Sequence, residues 1–321
     1  LGLGGGVALE ALSVLSVNGN VIGVSRALAA KLHDAGHDFA FNNAEAAGKA
    51  LIASLGDTLR IGVPFPFSMH AELVFYWLWA LGLPAPQSIH IRSVPPPLMA
   101  DAMEAGEVDA FCVGEPWGSR AVDAGVAELL LPGAAIWAFA PEKVLAVRAE
   151  FARSEAALSH RLIRACWRAA RWLASPGSAV LASELLAQKR YLDLPPEVLE
   201  RAFRGQLIIS PAGARREVPH FVDFFSGVAG FPWRSQAEWI GQQLAARTGL
   251  DRDAAAASAR ATFRSDLYRA ALAGVAPDLP SASSKLEGAL KEEEAAGSTG
   301  GRLILPRDAF FDGRIFEPRQ V

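Results

Sequence analysis

The residues best placed to do chemistry follow three apolar, strand-like runs. The run Arg60 to Phe65 passes through Pro64-Phe65-Pro66-Phe67-Ser68-Met69-His70 into a helical pattern. Ile89 to Val94 is followed by Pro95-Pro96-Pro97, and Val108 to Val113 by Gly114-Glu115-Pro116-Trp117. His70 falls near the start of a helix, where unpaired N–H groups and the helix dipole favour an anion. The prolines stiffen their loops, so a pocket between them is preformed rather than assembled on binding. A histidine, a proline triplet or a Glu-Pro-Trp turn is ordinary by itself. Their recurrence at successive strand ends is what points to one site.

The elements that must position these residues form a βαβαβ alternation, with helices over Ala71 to Leu81 and Leu98 to Ala105 between the three strands. Strands separated by helix-length segments pair in parallel through right-handed crossovers. In such a sheet the ligand crevice lies outside the carboxyl ends of the strands. Ahead of this unit come a Gly-rich opening, a β-branched run broken at Asn18-Gly19-Asn20, and a short helix, Arg26 to His33, that Gly36 stops. Beyond it, Glu155 to Ala174 is a long amphipathic helix, with Leu158, Leu162, Cys166, Ala169 and Leu173 on one face. Arg161, Arg164, Arg168 and Arg171 line another face, read as solvated. Ser235 with Glu238 makes a capping box opening a helix to about Arg247. Pro280 to Gly301 has little to bury and is expected to be a mobile loop, after which Leu303 to Phe316 resumes order.

The chain of 321 residues is 51% apolar and carries a net charge of -3, which gives no basic footprint for nucleic acid. Its two cysteines, Cys112 and Cys166, cannot make a disulfide framework and read as free thiols, suited to a reducing compartment. Apolar stretches are interrupted well before the roughly 20 residues of a membrane span. The sequence opens at Leu1, without an initiator Met or a signal-peptide pattern. His33 and His37, flanked by Asp34 and Asp38, have a spacing that suits zinc, but Gly36 between them favours a solvated helix end. The Gly2 to Gly6 run lacks the following Lys-Ser or Lys-Thr of a phosphate loop.

Several strings carry a family resemblance. They are Ser-Met-His-Ala-Glu-Leu-Val-Phe-Tyr-Trp-Leu (68–78), Val-Pro-Pro-Pro-Leu-Met (94–99), Asp-Ala-Phe-Cys-Val-Gly-Glu-Pro-Trp (109–117) and Pro-Glu-Lys-Val-Leu (141–145). Phe-Pro-Trp-Arg-Ser-Gln (231–236) and Phe-Phe-Asp-Gly (310–313) extend it along nearly the whole chain. Together they resemble the nitrate-binding subunits of ABC transporters, a nitrate, nitrite and bicarbonate group that includes cytoplasmic nitrate/nitrite sensors. The resemblance implies an α/β chain of the type II periplasmic-binding-protein fold: two lobes with parallel-rich sheets, two crossover strands and a ligand cleft. It implies a middle lobe over 18–117 and a first lobe built from 1–17 and 118–279. A loop (280–301) and a C-terminal tail (302–321) follow, and further sequence is expected ahead of Leu1.

By the same resemblance the ligand contacts fall on His70, Lys143, Gly114 with Glu115, and Asn20. Pro96, from the proline loop at the same mouth, completes the expected set. The chemistry is consistent. Nitrate is a flat, weakly hydrated monoanion that wants in-plane donors and a positive charge nearby. Lys143 and His70 can supply charge, and Asn20 with backbone N–H groups can supply donors. Glu115 is unfavourable beside an anion unless it pairs with Lys143 or presents only its backbone. Bicarbonate-binding members tend to replace the lysine by a carboxylate, so retention of Lys143 and His70 favours nitrate or nitrite.

The expected role is therefore binding without catalysis, cofactor or metal. One reading is the substrate-binding component of an ABC-type anion transporter, periplasmic or membrane-associated, with membrane subunits as partners. The alternative is a cytoplasmic sensor of the same fold that controls an RNA-binding antiterminator. A thiamine-pyrimidine-synthase-like enzyme is more remote, because only Cys112 stands near the cleft and no Gly-x-Ser-x-Gly elbow or paired-carboxylate arrangement is present.

Overall fold

A computed structural model describes residues 6–56, 58–84 and 87–319. Residues 1–5 of the Gly-rich opening lie outside them. From the start, β1 (Leu9–Asn18) turns at Gly19 into β2 (Asn20–Ser25), and α1 (Arg26–Asp34) and α2 (Ala44–Ser54) follow. Then β3 (Leu59–Val63), α3 (Met69–Ala80), β4 (Ile89–Ser93), α4 (Met99–Glu104) and β5 (Ala110–Gly114) alternate as the sequence pattern requires. α5 (Trp117–Asp123) leads to β6 (Ala127–Pro132), and β7 (Pro141–Arg148) returns beside β1. The second half is mostly helical: α6 (Ala149–Ser154), α7 (Ala156–Leu173), α8 (Ser178–Leu186) and α9 (Pro196–Arg204) come first. After β8 (Gln206–Ile208), β9 (Arg215–Glu217) and β10 (Val222–Asp223) come α10 (Arg234–Thr248), α11 (Arg252–Thr262) and α12 (Ser265–Leu272). β11 (Glu294–Ala295) and β12 (Ile304–Leu305) close the chain.

The principal sheet has the order β4-β3-β5-β2-β6. β3 is parallel to both β4 and β5, while β2 runs antiparallel between β5 and β6. The carboxyl ends of β3, β4, β5 and β6 and the start of β2 therefore share one rim. Pro64 ends β3 early, because proline cannot donate to a ladder. β6 extends this sheet past residue 117, where the lobe was expected to end. Trp117 is the first residue of α5 and packs, half-buried, against the hydrophobic core.

The crossovers lie at β1–β2 and β6–β7. A second, three-stranded sheet, β10-β1-β7, carries them on its side of the junction. Asn18 fastens the two together: its Nδ2 donates to Ala138 O at 2.8 Å, and its Oδ1 accepts from Ala140 N at 3.0 Å. Asn18 and Gly19 both adopt left-handed backbone, φ 61° and 87°, which asparagine and glycine tolerate best.

α3 is buried on every side from Met69 to Leu78. A helix apolar all round needs partners all round. One side lies on the sheet, and the Trp77 indole donates to Ala44 O of α2 at 2.7 Å. The far side meets an aromatic group in which Tyr76 packs on Trp239 and Phe310, with ring centroids 5.4 and 5.3 Å away. Tyr76 also donates to Asp312 at 2.9 Å.

Three sequence expectations need correction in the second half. The line that α7 buries is Ser159, Ile163 and Trp167, one position on from the expected Leu158–Leu162–Cys166 stripe. Of the four arginines only Arg164 departs from the solvated reading, half-buried and donating to Ala271 O at 2.7 Å; Arg161, Arg168 and Arg171 are exposed, Arg171 lying over the Trp167 ring. The capping box does not form. Ser235 donates instead to Glu287 at 2.5 Å, and Glu238 accepts from Arg319 N at 3.1 Å.

Residues 280–301 were expected to be mobile, yet polar anchors hold them in place. Asp278 accepts from Ser298 at 2.8 Å and from the Gly300 and Arg302 amides at 2.6 and 2.8 Å. Lys285 sits between buried Glu287 and Asp308, and its amide donates to Ser235 Oγ. Buried charges of this kind cost little only while each keeps its partner. Lys285→Ala is therefore expected to destabilise the protein by about 3–5 kcal/mol. The check is a lower urea midpoint with an unchanged m-value; an unmoved midpoint would show that the network does not hold this segment.

Candidate functional site

The site is assembled where the sheet rim meets the start of α3. β2 and β5 are antiparallel with Asn20 opposite Gly114, so these two residues stand side by side on the rim. α3 begins after Ser68, and its first turn brings His70 over them. A side-chain carbon placed on Gly114 would lie 3.6 Å from Asn20 Oδ1 and 3.9 Å from His70 Nε2. Glycine thus leaves open a small seat bounded by an amide and an imidazole. His70 and Asn20 are each 2% exposed. Both ring nitrogens of His70 and the Nδ2 of Asn20 are buried without a hydrogen-bond partner. Such groups cost free energy while unmatched, and native interiors rarely leave them together without a use.

Lys143 lies alongside on β7. Its side chain is 62% exposed and is ion-paired with Glu142, whose own side chain is only 4% exposed. The other Glu142 oxygen lies 3.3 Å from His70 Nδ1. Burial pushes the His70 imidazole down to about 4; the Glu142 carboxylate opposes that shift and the Lys143 ammonium adds to it. At neutral pH the ring is uncharged, with one N–H to give.

The structure brings His70, Asn20, Gly114 and, at the edge, Lys143 together. Glu115 and Pro96 sit apart from them. The Glu115 carboxylate turns back to accept from the Ser119 amide, 3.1 Å from each oxygen, and it pairs with neither Lys143 nor the seat. Its backbone amide donates to Gly19 O at 2.9 Å, so it is not aimed into a cleft. Burial pushes the Glu115 carboxyl up to about 7 against those Ser119 hydrogen bonds. Pro96 follows the edge strand β4, two strands from β5 and about 10 Å away across the sheet.

Sequence reading passed over two participants. Glu142 stands inside the Pro-Glu-Lys string, and its neighbour to Lys143 was the signal available. Arg247 was marked only as the end of a helix. It pairs with buried Glu72 in the first turns of α3 and donates to Pro66 O at 2.8 Å. Its guanidinium lies between the Phe67 and Phe75 rings, 5.3 and 4.7 Å from their centroids. Nothing local in the sequence announces that contact.

The larger cavities lie elsewhere. One of about 440 Å³ is lined by Phe41, Phe139, His220 and Lys291, and another of about 460 Å³ by Trp79, Arg247 and Arg314. Both are bigger than a four-atom anion needs, and the buried, unpartnered donors are at the rim, so the rim is the better candidate. His33 pairs with Glu128 at 3.0 Å rather than with His37. Among the described residues no group of three or more His, Cys, Asp or Glu could hold a metal, and no helix is long and apolar enough to cross a membrane.

Comparison with known proteins agrees with this architecture. The solved periplasmic nitrate-binding protein NrtA from Synechocystis superposes with a TM-score of 0.80 at 22% identity, covering 98% of this chain and 76% of that one. The nitrate/nitrite binding protein NrtA of Synechococcus elongatus is 28% identical over 269 residues, 82% of this chain and 56% of that protein. The bicarbonate transport ATP-binding protein CmpC of Synechocystis is 34% identical over 193 residues, 59% of this chain and 28% of that protein. The chain thus spans less than two thirds of these curated relatives. The fold is the type II periplasmic-binding-protein fold of the solved structure. A family model described as the NMT1-like family matches residues 1–187, more than half of the sequence, and the chain belongs to that family.

Proposed function

We propose that this protein binds a small oxyanion, nitrate or nitrite, as the substrate-binding component of an ABC-type anion transporter, and performs no reaction on it. The observation that carries the reading is the seat itself. His70 Nε2, buried and unpartnered, faces Gly114; the Asn20 amide, whose Nδ2 is also unmatched, lines the same place, and the Lys143 ammonium stands beside them. A planar anion would match donors that are otherwise unmatched, and a helix start adds favourable potential. The names of the relatives, nitrate/nitrite binding and periplasmic nitrate-binding, point the same way. On this reading the partners are the membrane subunits of the transporter, and the protein works outside the cytoplasm.

A second reading of the same seat is a cytoplasmic nitrate/nitrite sensor that controls an RNA-binding antiterminator. It draws on Cys112 and Cys166, both free thiols. Fractionation of cells carrying the intact protein separates the two: recovery with periplasm or membrane supports the transporter component, and recovery in cytosol supports the sensor.

Calorimetry of the intact protein should show nitrate or nitrite binding more tightly than bicarbonate or sulfate. Equal or tighter bicarbonate binding would overturn the choice of anion. If Lys143 neutralises the ligand, Lys143→Ala should weaken binding by about 1.5–3 kcal/mol, the scale of a charged hydrogen bond. Lys143→Gln should recover part of that loss by keeping a donor. An unchanged isotherm for Lys143→Ala would remove the lysine from the site.

A further inference from the structure

We propose that Glu142 is part of the seat and that the anion binds together with one proton, held on His70 between Glu142 and the anion. The inference rests on the anion reading above and concerns how that same seat keeps its charge balanced.

The geometry sets His70 between two acceptors. Its Nδ1 lies 3.3 Å from a Glu142 oxygen, while its Nε2 faces the open side of Gly114. A neutral imidazole has one N–H and cannot donate in both directions; an imidazolium can. With the anion absent one donor is enough. With the anion on Nε2, both nitrogens have an acceptor that requires a hydrogen.

Charge counting leads to the same step. Without ligand the seat holds the Lys143 ammonium, the Glu142 carboxylate and a neutral His70, which sum to zero. A monoanion arriving alone would leave one negative charge beside groups already removed from water, and such a charge is expensive. A proton taken from solvent onto His70 returns the sum to zero. No bond other than N–H forms, and the proton comes from the buffer.

The other titratable groups around the ring do not compete for this role. From β7 come Glu142 and Lys143 themselves. From β5, the Cys112 thiol is buried, and burial, with the Glu142 charge adding, pushes its proton affinity up, so it stays neutral. At the end of that strand Glu115 is turned onto the Ser119 amide, and burial raises its carboxyl to about 7, so proton uptake that survives in His70→Gln belongs to Glu115 and overturns the assignment to His70. On the helix of His70 itself, Glu72 is taken by Arg247 of α10. Burial holds the free ring near 4. A second negative group at Nε2 favours the charged ring and raises that value.

The sign of the linkage follows. Because the bound form holds its proton more tightly, affinity rises as pH falls towards 4 and levels off there, where the free ring also protonates; an opposite charge nearby shifts such a group by about 1–3 units, which confines the rise to about pH 7 and below. The slope is at most about tenfold in affinity per pH unit for one proton.

The test is nitrate titration of the intact protein at about pH 5.5, between the free and bound values of the ring, in buffers of different ionisation enthalpy, which counts protons directly. Net proton uptake, at most one per anion, is expected for the wild type, with weaker binding at pH 7 than at pH 5. His70→Gln keeps a donor but cannot titrate, and should bind nitrate with no uptake and a flat pH profile. Glu142→Gln leaves the Lys143 charge uncancelled, so uptake should fall and nitrate should bind at pH 8 at least as tightly as to wild type. The ring nitrogen chemical shifts of His70, which report protonation independently of affinity, should move to the imidazolium range on nitrate addition. Nitrate binding without proton uptake overturns this inference and leaves the anion reading standing. Full uptake in Glu142→Gln overturns the part given to Glu142. If no small oxyanion binds at any pH from 5.5 to 8, the reading and the inference fall together.

Discussion

α3 has to be buried along its first three turns, and its opening turn is polar. That constraint organises much of the molecule. His70 and Glu72 are both buried there, and each must be matched by something reached from another part of the chain. Glu72 is answered by Arg247 from α10, which is itself braced between Phe67 and Phe75. Burial raises the proton affinity of the Glu72 carboxyl, and the guanidinium opposes that shift, so the pair stays ionic only while the two elements remain in contact. His70 is approached by Glu142 and otherwise left open towards Gly114. One turn of helix thus carries both a closed ion pair and an unfilled position.

The local features were legible in the sequence because they are written in short-range chemistry. Proline and glycine punctuate β3, β4 and β5, the alternation with helix-length segments fixes parallel pairing, and Asn18-Gly19 marks the turn between β1 and β2. That Asn20 and Gly114 meet His70 was implied by the family resemblance, and strand pairing with helix position is what brings them together. Long-range partners were not legible. Arg247 and Glu72 are 175 residues apart, and nothing near either one indicates the other. Ser235 carried a capping signal, but the helix begins one residue earlier, at Arg234, so Ser235 lies inside the first turn and its hydroxyl meets the buried Glu287 carboxylate instead. The 280–301 segment misled in the opposite way. It is poor in apolar residues, and its order comes from Asp278, Lys285 and Asp308 instead.

The seat's charge pattern is also a matter of placement rather than composition. Glu142 and Lys143 are adjacent in sequence, yet their side chains differ sharply in exposure, 4% against 62%. A buried carboxylate beside an exposed ammonium gives the rim an acceptor on its inner side and a cation at its mouth. Glu115, which the family resemblance puts at the ligand, turns its carboxylate away from the seat because the start of α5 offers it the Ser119 amide.

The way the chain enters and leaves the five-stranded sheet bears on how the protein is made. It enters along β2 and departs along β6, which are paired neighbours, so everything from Asn20 to Pro132 is an excursion whose two ends meet. A ribosome releases that excursion as a complete sheet with its own crossovers, able to condense before the second half exists. The outer side of α3 must then wait. Tyr76 has neither Trp239 nor Phe310, and Glu72 has no Arg247, until α10 and the C-terminal segment emerge. During that interval the nascent chain displays an aromatic strip and an unpaired carboxyl on one helix. The late-synthesised segments are thus what removes the early lobe's most adhesive surface from the reach of other chains.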